Sequence, residues 1–267
     1  MTGRDPEAGG SGTVSPPTSV PIGRPPRTSA HRSLASRLGG RIAVVRRYGI
    51  PFFSEFVRDC DTNATVFLTR HNTRLVGKYF IDSVEAQAEL EAERRSWALF
   101  HDRPWRMPVV SSEGRGLLVR RLPDDARLDM RARTMTKSEC LDAGAWALEV
   151  IIELYLAGYL HGDLQPHNIW YLEGRRVVTD WSTFASRTPE IPFAESADIT
   201  GCDPAYQRRF DPAFDPDDPW SFHNVLGISL SESVEVLGAQ LASRPARGET
   251  DAKLKALETC APGRTGR

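Results

Sequence analysis

The residues best suited to chemistry stand together in one stretch, LHGDLQPHNIWYLEGRRVVTDWS, residues 160–182. His161, Asp163 and Asn168 fall in a polar loop behind a long apolar-rich segment. Asp180 follows Asn168 across what reads as a hairpin, with Glu173-Gly174 at its turn. A carboxylate and an amide oxygen brought side by side in this way suit a hard cation such as Mg²⁺, which takes oxygen ligands and keeps several waters. Asp163, offset from that pair, is placed to orient or deprotonate a hydroxyl nucleophile. Positioning and charge neutralisation are what phosphoryl transfer asks of a protein. The bland reading of the same acids and amide is turn capping, which also favours Asp and Asn.

Such a loop needs elements to hold it. ATVFLTR (64–70) and RLVGKYF (74–80) carry β-branched and aromatic residues around a polar HNT, the pattern of a hairpin. VEAQAELEAERRSWALF (84–100) has neither Gly nor Pro and reads as a helix. MPVVSS and GRGLLVRRL read as two further strands, so the first half is β-β-α-β-β. The second half opens with a long helix over 138–159. Short strands follow around Asn168–Leu172 and Arg176–Thr179, then a Pro/Asp-rich stretch (188–219) and a helix from Trp220 to Leu241. The fold class expected is α+β, with a small, mostly antiparallel β lobe containing one helix and a larger, mostly helical lobe.

Two charged residues are out of place in those elements unless they meet. Strand alternation puts Lys78 on the face of Val76 and Phe80, where a lone ammonium is costly. Helical spacing puts Glu93 on the apolar face with Leu90, Trp97 and Phe100. An inward Lys and an inward Glu account for each other. Glu89 is the alternative partner, in which case Glu93 belongs to a solvated stripe.

The stretch 160–182 resembles the catalytic and metal-binding loops of the protein-kinase-like superfamily, which includes eukaryotic-type Ser/Thr kinases and aminoglycoside phosphotransferases. The H-G-D-L-x-P-x-N run followed by D-W looks like its bacterial and small-molecule branches; protein kinases more often have Arg after the His and D-F-G at the second site. The resemblance spans roughly residues 45–235. It implies a two-lobed protein-kinase-like fold, with 39–123 as N-lobe and hinge and 124–245 as a shortened C-lobe. Asp163 is then the catalytic base, His161 a prop for its loop, and Asn168 and Asp180 the Mg²⁺ ligands. Lys78, held by Glu93, pairs with the ATP phosphates. In LLVRRLP the backbone of Arg121 and Leu122 meets the adenine. The activity implied is transfer of the ATP γ-phosphoryl group to a hydroxyl of a protein Ser/Thr or of a small-molecule alcohol.

Some features depart from the family. Its phosphate-covering loop is glycine-rich, whereas no glycine occurs between Gly49 and Gly77, and DCDTNATVF (59–67) puts Asp59, Asp61 and Ala64 near the glycine positions. ITGCDPAYQRRF (199–210) is similar to the family's substrate-receiving segment, but Gln207, Arg208 and Arg209 stand where its glutamate belongs. DDPWSFHNVLG (217–227) is similar to the opening of its central helix, with Asp218 the residue that braces the catalytic loop. The acidic loop and missing glutamate support the alternative of a pseudokinase that binds a partner without chemistry.

Composition sets outer bounds. The 267 residues carry 34 Lys+Arg against 35 Asp+Glu, a net charge of −1 that argues against a nucleic-acid binder. No stretch has the apolar length of a membrane span, and the N-terminus lacks the apolar core of a signal peptide, so a cytoplasmic protein without membrane insertion is expected. The four cysteines form no C-x-x-C. Residues 1–38, rich in Gly, Pro, Ser and Arg, read as a disordered tail, and 246–267 as a polar C-terminal tail with one short charged helical piece.

Overall fold

The computed structural model describes residues 55–60, 64–68, 74–200, 221–245 and 247–260. Expectations for the 1–38 tail, for the side chain of Asp59, and for Asp61, Gln207, Arg208, Arg209, Asp217 and Asp218 lie outside the described residues.

Strands β1 (Glu55–Cys60), β2 (Ala64–Leu68), β3 (Leu75–Phe80), β4 (Val109–Glu113) and β5 (Gly116–Arg120) form one antiparallel sheet in the order β1-β2-β3-β5-β4. Helix α1 (Val84–Phe100) fills the connection from β3 to β4. It starts where the Ser83 side chain accepts the Ala86 N–H at 3.1 Å, satisfying one of the free donors of the first turn. Its inward residues Ala86 and Leu90 close a small core with Ala64, Phe80 and Leu117. Register aligns Val66, Lys78 and Leu117 across three neighbouring strands. Because side chains alternate along strands, that row projects from one face of the sheet. The other face explains two strand glycines. A Cβ at Gly77 would come within 2.4 Å of the Tyr79 ring, and one at Gly116 within 2.9 Å.

The helical part is built on α3 (Lys137–Leu156), opened by a capping box between Thr136 and Glu139 and running through the largest apolar core. Before it comes the single turn α2 (Leu128–Arg131), and after it β6 (Tyr159–Leu160). The hairpin β7 (Ile169–Leu172) and β8 (Arg175–Val178) follows, then β9 (Ala185–Ser186), which pairs with β6, and the short α4 (Ala197–Thr200). The segment expected as one helix over Trp220–Leu241 is two among the described residues, α5 (Phe222–Leu226) and α6 (Leu230–Ala242). Gly227, at φ +61°, ends the first, and Ser229 caps the second with a capping box to Glu232. Helix α6 and the link before it lie so close to α3 that a Cβ on Gly144 would sit 2.7 Å from Ser233 Oγ of α6 and 2.3 Å from Ile228 of the link. The C-terminal segment is more than a polar tail. Helix α7 (Gly248–Cys260) buries Ala256, Leu257 and Cys260 in the same core as α3.

The chain is therefore α+β, with small antiparallel sheets and a helical majority in its second half. No helix among the described residues is long and apolar enough to cross a membrane.

Candidate functional site

A cavity of about 210 Å³ lies beneath the sheet row of Val66, Lys78 and Leu117. Val76 and Val119 continue its apolar roof, and Met107 and Trp170 lie in its opposite wall. Arg121 and Leu122 border it at the end of β5, while Lys78, Glu93, Arg106, Asn168 and Asp180 make the other end strongly polar.

Lys78 joins residues far apart in sequence. Its Nζ donates to Glu93 Oε1 at 3.1 Å and to Asp180 Oδ1 at 2.6 Å. Glu93, 5% exposed, is the buried carboxylate of α1 that meets the lysine, which decides between it and Glu89. Asp180 also accepts from Ser182 Oγ at 3.1 Å. Burial pushes the Asp180 carboxyl up, but the Lys78 ammonium overrides it and brings the pKa down to about 2. The backbone of Asp180 is left-handed, φ +58°, a region where Asp is among the better tolerated residues.

The loop before it is held by backbone contacts. His161 is fully buried, with Nε2 donating to the Thr179 carbonyl at 3.2 Å and Nδ1 accepting the Asp163 N–H at 3.3 Å. Burial lowers its pKa to about 4, so the ring is neutral near pH 7. It packs on Trp181 with centroids 4.5 Å apart. Trp181 is itself fully buried and stacks on Trp105. Asn168 Nδ2 donates to the Asp163 carbonyl at 2.9 Å and to Asp163 Oδ2 at 3.1 Å, tying the two polar residues of the loop together.

Two residues at this site carried no sequence signal. The loop's brace is Asp198, at the start of α4. Its carboxylate accepts the His161 N–H at 2.8 Å and the Gly162 N–H at 2.7 Å. The same role was expected of Asp218, which lies outside the described residues. An Asp in the first turn of a short helix looks like any acid favoured there, so only the tertiary contact singles it out. Arg106, 3% exposed, lies behind Glu93 with Nη2 3.7 Å from Oε2. One arginine in an arginine-rich chain has no pattern to mark it. The Arg121 N–H is already given to the Arg74 carbonyl at 2.7 Å, which removes it as a donor to anything in the cavity.

No protein-family model matches the chain, and no curated protein does.

Proposed function

We propose that the chain is an ATP-dependent phosphotransferase of the protein-kinase-like type, with the five-stranded sheet and α1 as its small lobe and the helical part as its large lobe. The observation that carries this reading is the clasp of Lys78 by Glu93 and Asp180, from β3, α1 and the end of the β7–β8 hairpin, at one end of an otherwise apolar cavity. A buried ammonium with two carboxylates is costly to assemble and finds a use in holding a phosphate chain. The apolar end suits a flat base. There the Arg121 carbonyl and the Leu122 backbone are the groups left to read adenine.

The donor set fits Mg²⁺. Asp180 is ionised at neutral pH, and neither its Oδ2 nor Asn168 Oδ1 has a protein partner among the described residues. These are one carboxylate and one amide oxygen, the hard donors Mg²⁺ takes alongside phosphate and water. Bound there, the ion neutralises charge on the phosphates. Lys78 holds the phosphates in place, and Asn168 fixes the Asp163 carboxylate through its Nδ2. Asp163 takes the proton of the acceptor hydroxyl as the acceptor oxygen bonds to the γ-phosphorus and the bond to the bridging oxygen breaks, releasing ADP. The acceptor is a Ser/Thr hydroxyl on a protein or a small-molecule alcohol.

The glycine-free acidic segment 59–67 favours one other reading, a module of the same shape that binds a partner without chemistry. A thermal-shift titration with ATP, with and without Mg²⁺, separates them. A ligand at ~100 times its dissociation constant stabilises the folded state by about 2.7 kcal/mol. Wild type is expected to shift with ATP and Mg²⁺ together, Asp180→Asn to lose that shift, and Asp163→Asn to keep it while losing phosphoryl transfer. No shift of wild type in millimolar ATP overturns the enzyme reading and leaves the binding module.

A further inference from the structure

Arg106 ends a row of alternating charges at the polar end of the cavity: Arg106, Glu93, Lys78, Asp180. Its place is fixed by protein groups. Nη1 donates to the Met107 carbonyl at 3.1 Å, and Nη2 to Ser96 Oγ at 3.0 Å and the Glu93 carbonyl at 3.4 Å. The guanidinium lies over the Trp181 ring at 4.8 Å and the Trp97 ring at 5.8 Å. Packing alone does not explain it. Its Nε is buried without a hydrogen-bond partner, a desolvation cost that a Met or Leu between the same two rings would avoid. What an apolar residue cannot supply there is charge.

The charge matters because of what Glu93 does to Lys78. A buried Lys–Glu pair is neutral as a unit and presents little field to an anion. When a phosphate chain draws Lys78 away from Asp180, Glu93 remains its partner. We propose that Arg106 is a positioning residue for phosphate binding: facing the second oxygen of Glu93, it leaves the Arg106–Glu93–Lys78 set with a net positive charge. That charge serves where a glycine-rich loop would otherwise cover the phosphates; the segment 59–67 has no glycine. The inference rests on the nucleotide reading of this cavity and names how the cavity holds its anionic end.

The test compares dissociation constants for ATP·Mg²⁺ and for adenosine, measured by calorimetry on folded protein. In Arg106→Met, ATP is expected to weaken about tenfold while adenosine stays within about twofold, the scale of one unit charge acting through a partly screened site. Arg106→Lys, which keeps the charge, holds the wild-type ratio of the two constants. The double variant E93Q/R106M removes one charge of each sign, so the ratio recovers. A merely structural arginine would weaken both ligands in Arg106→Met and weaken them further in the double variant. Equal losses for ATP and adenosine, or no recovery in E93Q/R106M, overturn the proposal. If Arg106→Met does not fold, a fall in the ratio for Arg106→Lys, or a double variant below wild type in that ratio, does the same. Wild type that binds ATP no better than adenosine removes this inference alone; wild type that binds neither removes the nucleotide reading with it.

Discussion

Gly162 shows how a single position is fixed by its surroundings. Its backbone is at φ +87°, and a Cβ there would lie 2.8 Å from the Thr183 carbonyl oxygen, while its N–H is given to Asp198. Only glycine fits such a conformation without strain. Arg, the residue protein kinases more often carry after the histidine, cannot be grafted here. Gly162→Arg is expected to lose at least about 2 kcal/mol, a fall of roughly 4–8 °C in a melt monitored by circular dichroism. An unchanged melting temperature would show that the loop relaxes around the new side chain. The glycine was legible in the sequence as part of H-G-D; its reason was not, because Thr183 and Asp198 reach it through the fold. Lys78 and Glu93 were legible for the opposite reason. Each is a charge on a strand or helix face that is otherwise apolar, so the local pattern marks both.

At the scale of elements, α7 is tied to α3 by charge as well as by apolar packing. Lys253, 5% exposed, donates to Glu149 Oε1 at 2.9 Å and to Glu153 Oε1 at 2.7 Å. Burial pulls its ammonium down, but the Glu153 and Glu149 carboxylates outweigh it, so its pKa is raised. Glu153 also accepts the Trp105 Nε1–H at 2.7 Å, and Trp105 stacks on Trp181 beside Asp180. Removing the ammonium leaves Glu153 without a cation beside Glu149, which keeps its pair with Arg244. Lys253→Met is expected to cost on the order of 3 kcal/mol, read as a lower midpoint in urea. Glu249→Ala removes only the exposed partner of the same lysine and should cost under about 0.5 kcal/mol. Equal effects would mean the cluster acts as a solvated surface network. Most element boundaries followed from local chemistry. The helix expected over 84–100 is Val84–Phe100, and both long capping boxes are visible as T-x-x-E and S-x-x-E. The division of Trp220–Leu241 was missed because the apolar pattern continues across Gly227 while the backbone does not. The packing of α7 was missed because a charged segment reads as solvated until its cation meets two partly buried carboxylates.

For the whole molecule, two buried groups of the same loop work against each other as pH falls. Burial holds the His161 pKa down to about 4, so it contributes stability above its unfolded value of 6.5 and loses it as pH falls through 4. Burial pushes Asp198 up to about 6, even though its carboxylate accepts two N–H groups, from an unfolded value of 3.8. Its contribution is full below 3.8 and is lost as pH rises through 6. Each shift is worth on the order of 3 kcal/mol, so over roughly pH 4–6 they nearly cancel. Melting temperatures of Asp198→Asn should therefore fall more steeply than those of wild type between pH 6.5 and 4, because the variant keeps only the histidine's dependence. Parallel curves would mean that Asp198 is ionised in the folded protein. Below 3.8 a further loss is expected as Asp180, held at about 2 beside Lys78, takes up its proton. The sequence by itself determined the α+β class, the order β2, β3, α1, β4, β5, α3 and the β7–β8 hairpin, and the inward charges of β3 and α1, because each follows from spacing along a few turns of chain; it did not mark β1. It also marked Asp163, Asn168 and Asp180, whose spacing is local to one loop and hairpin. The tertiary structure alone decided that Asp198 braces that loop, that Arg106 backs Glu93, and that Lys253 seals α7 onto α3. In each case the partners are separated in sequence and joined by burial, where a charge's value depends on what surrounds it and no local pattern records that.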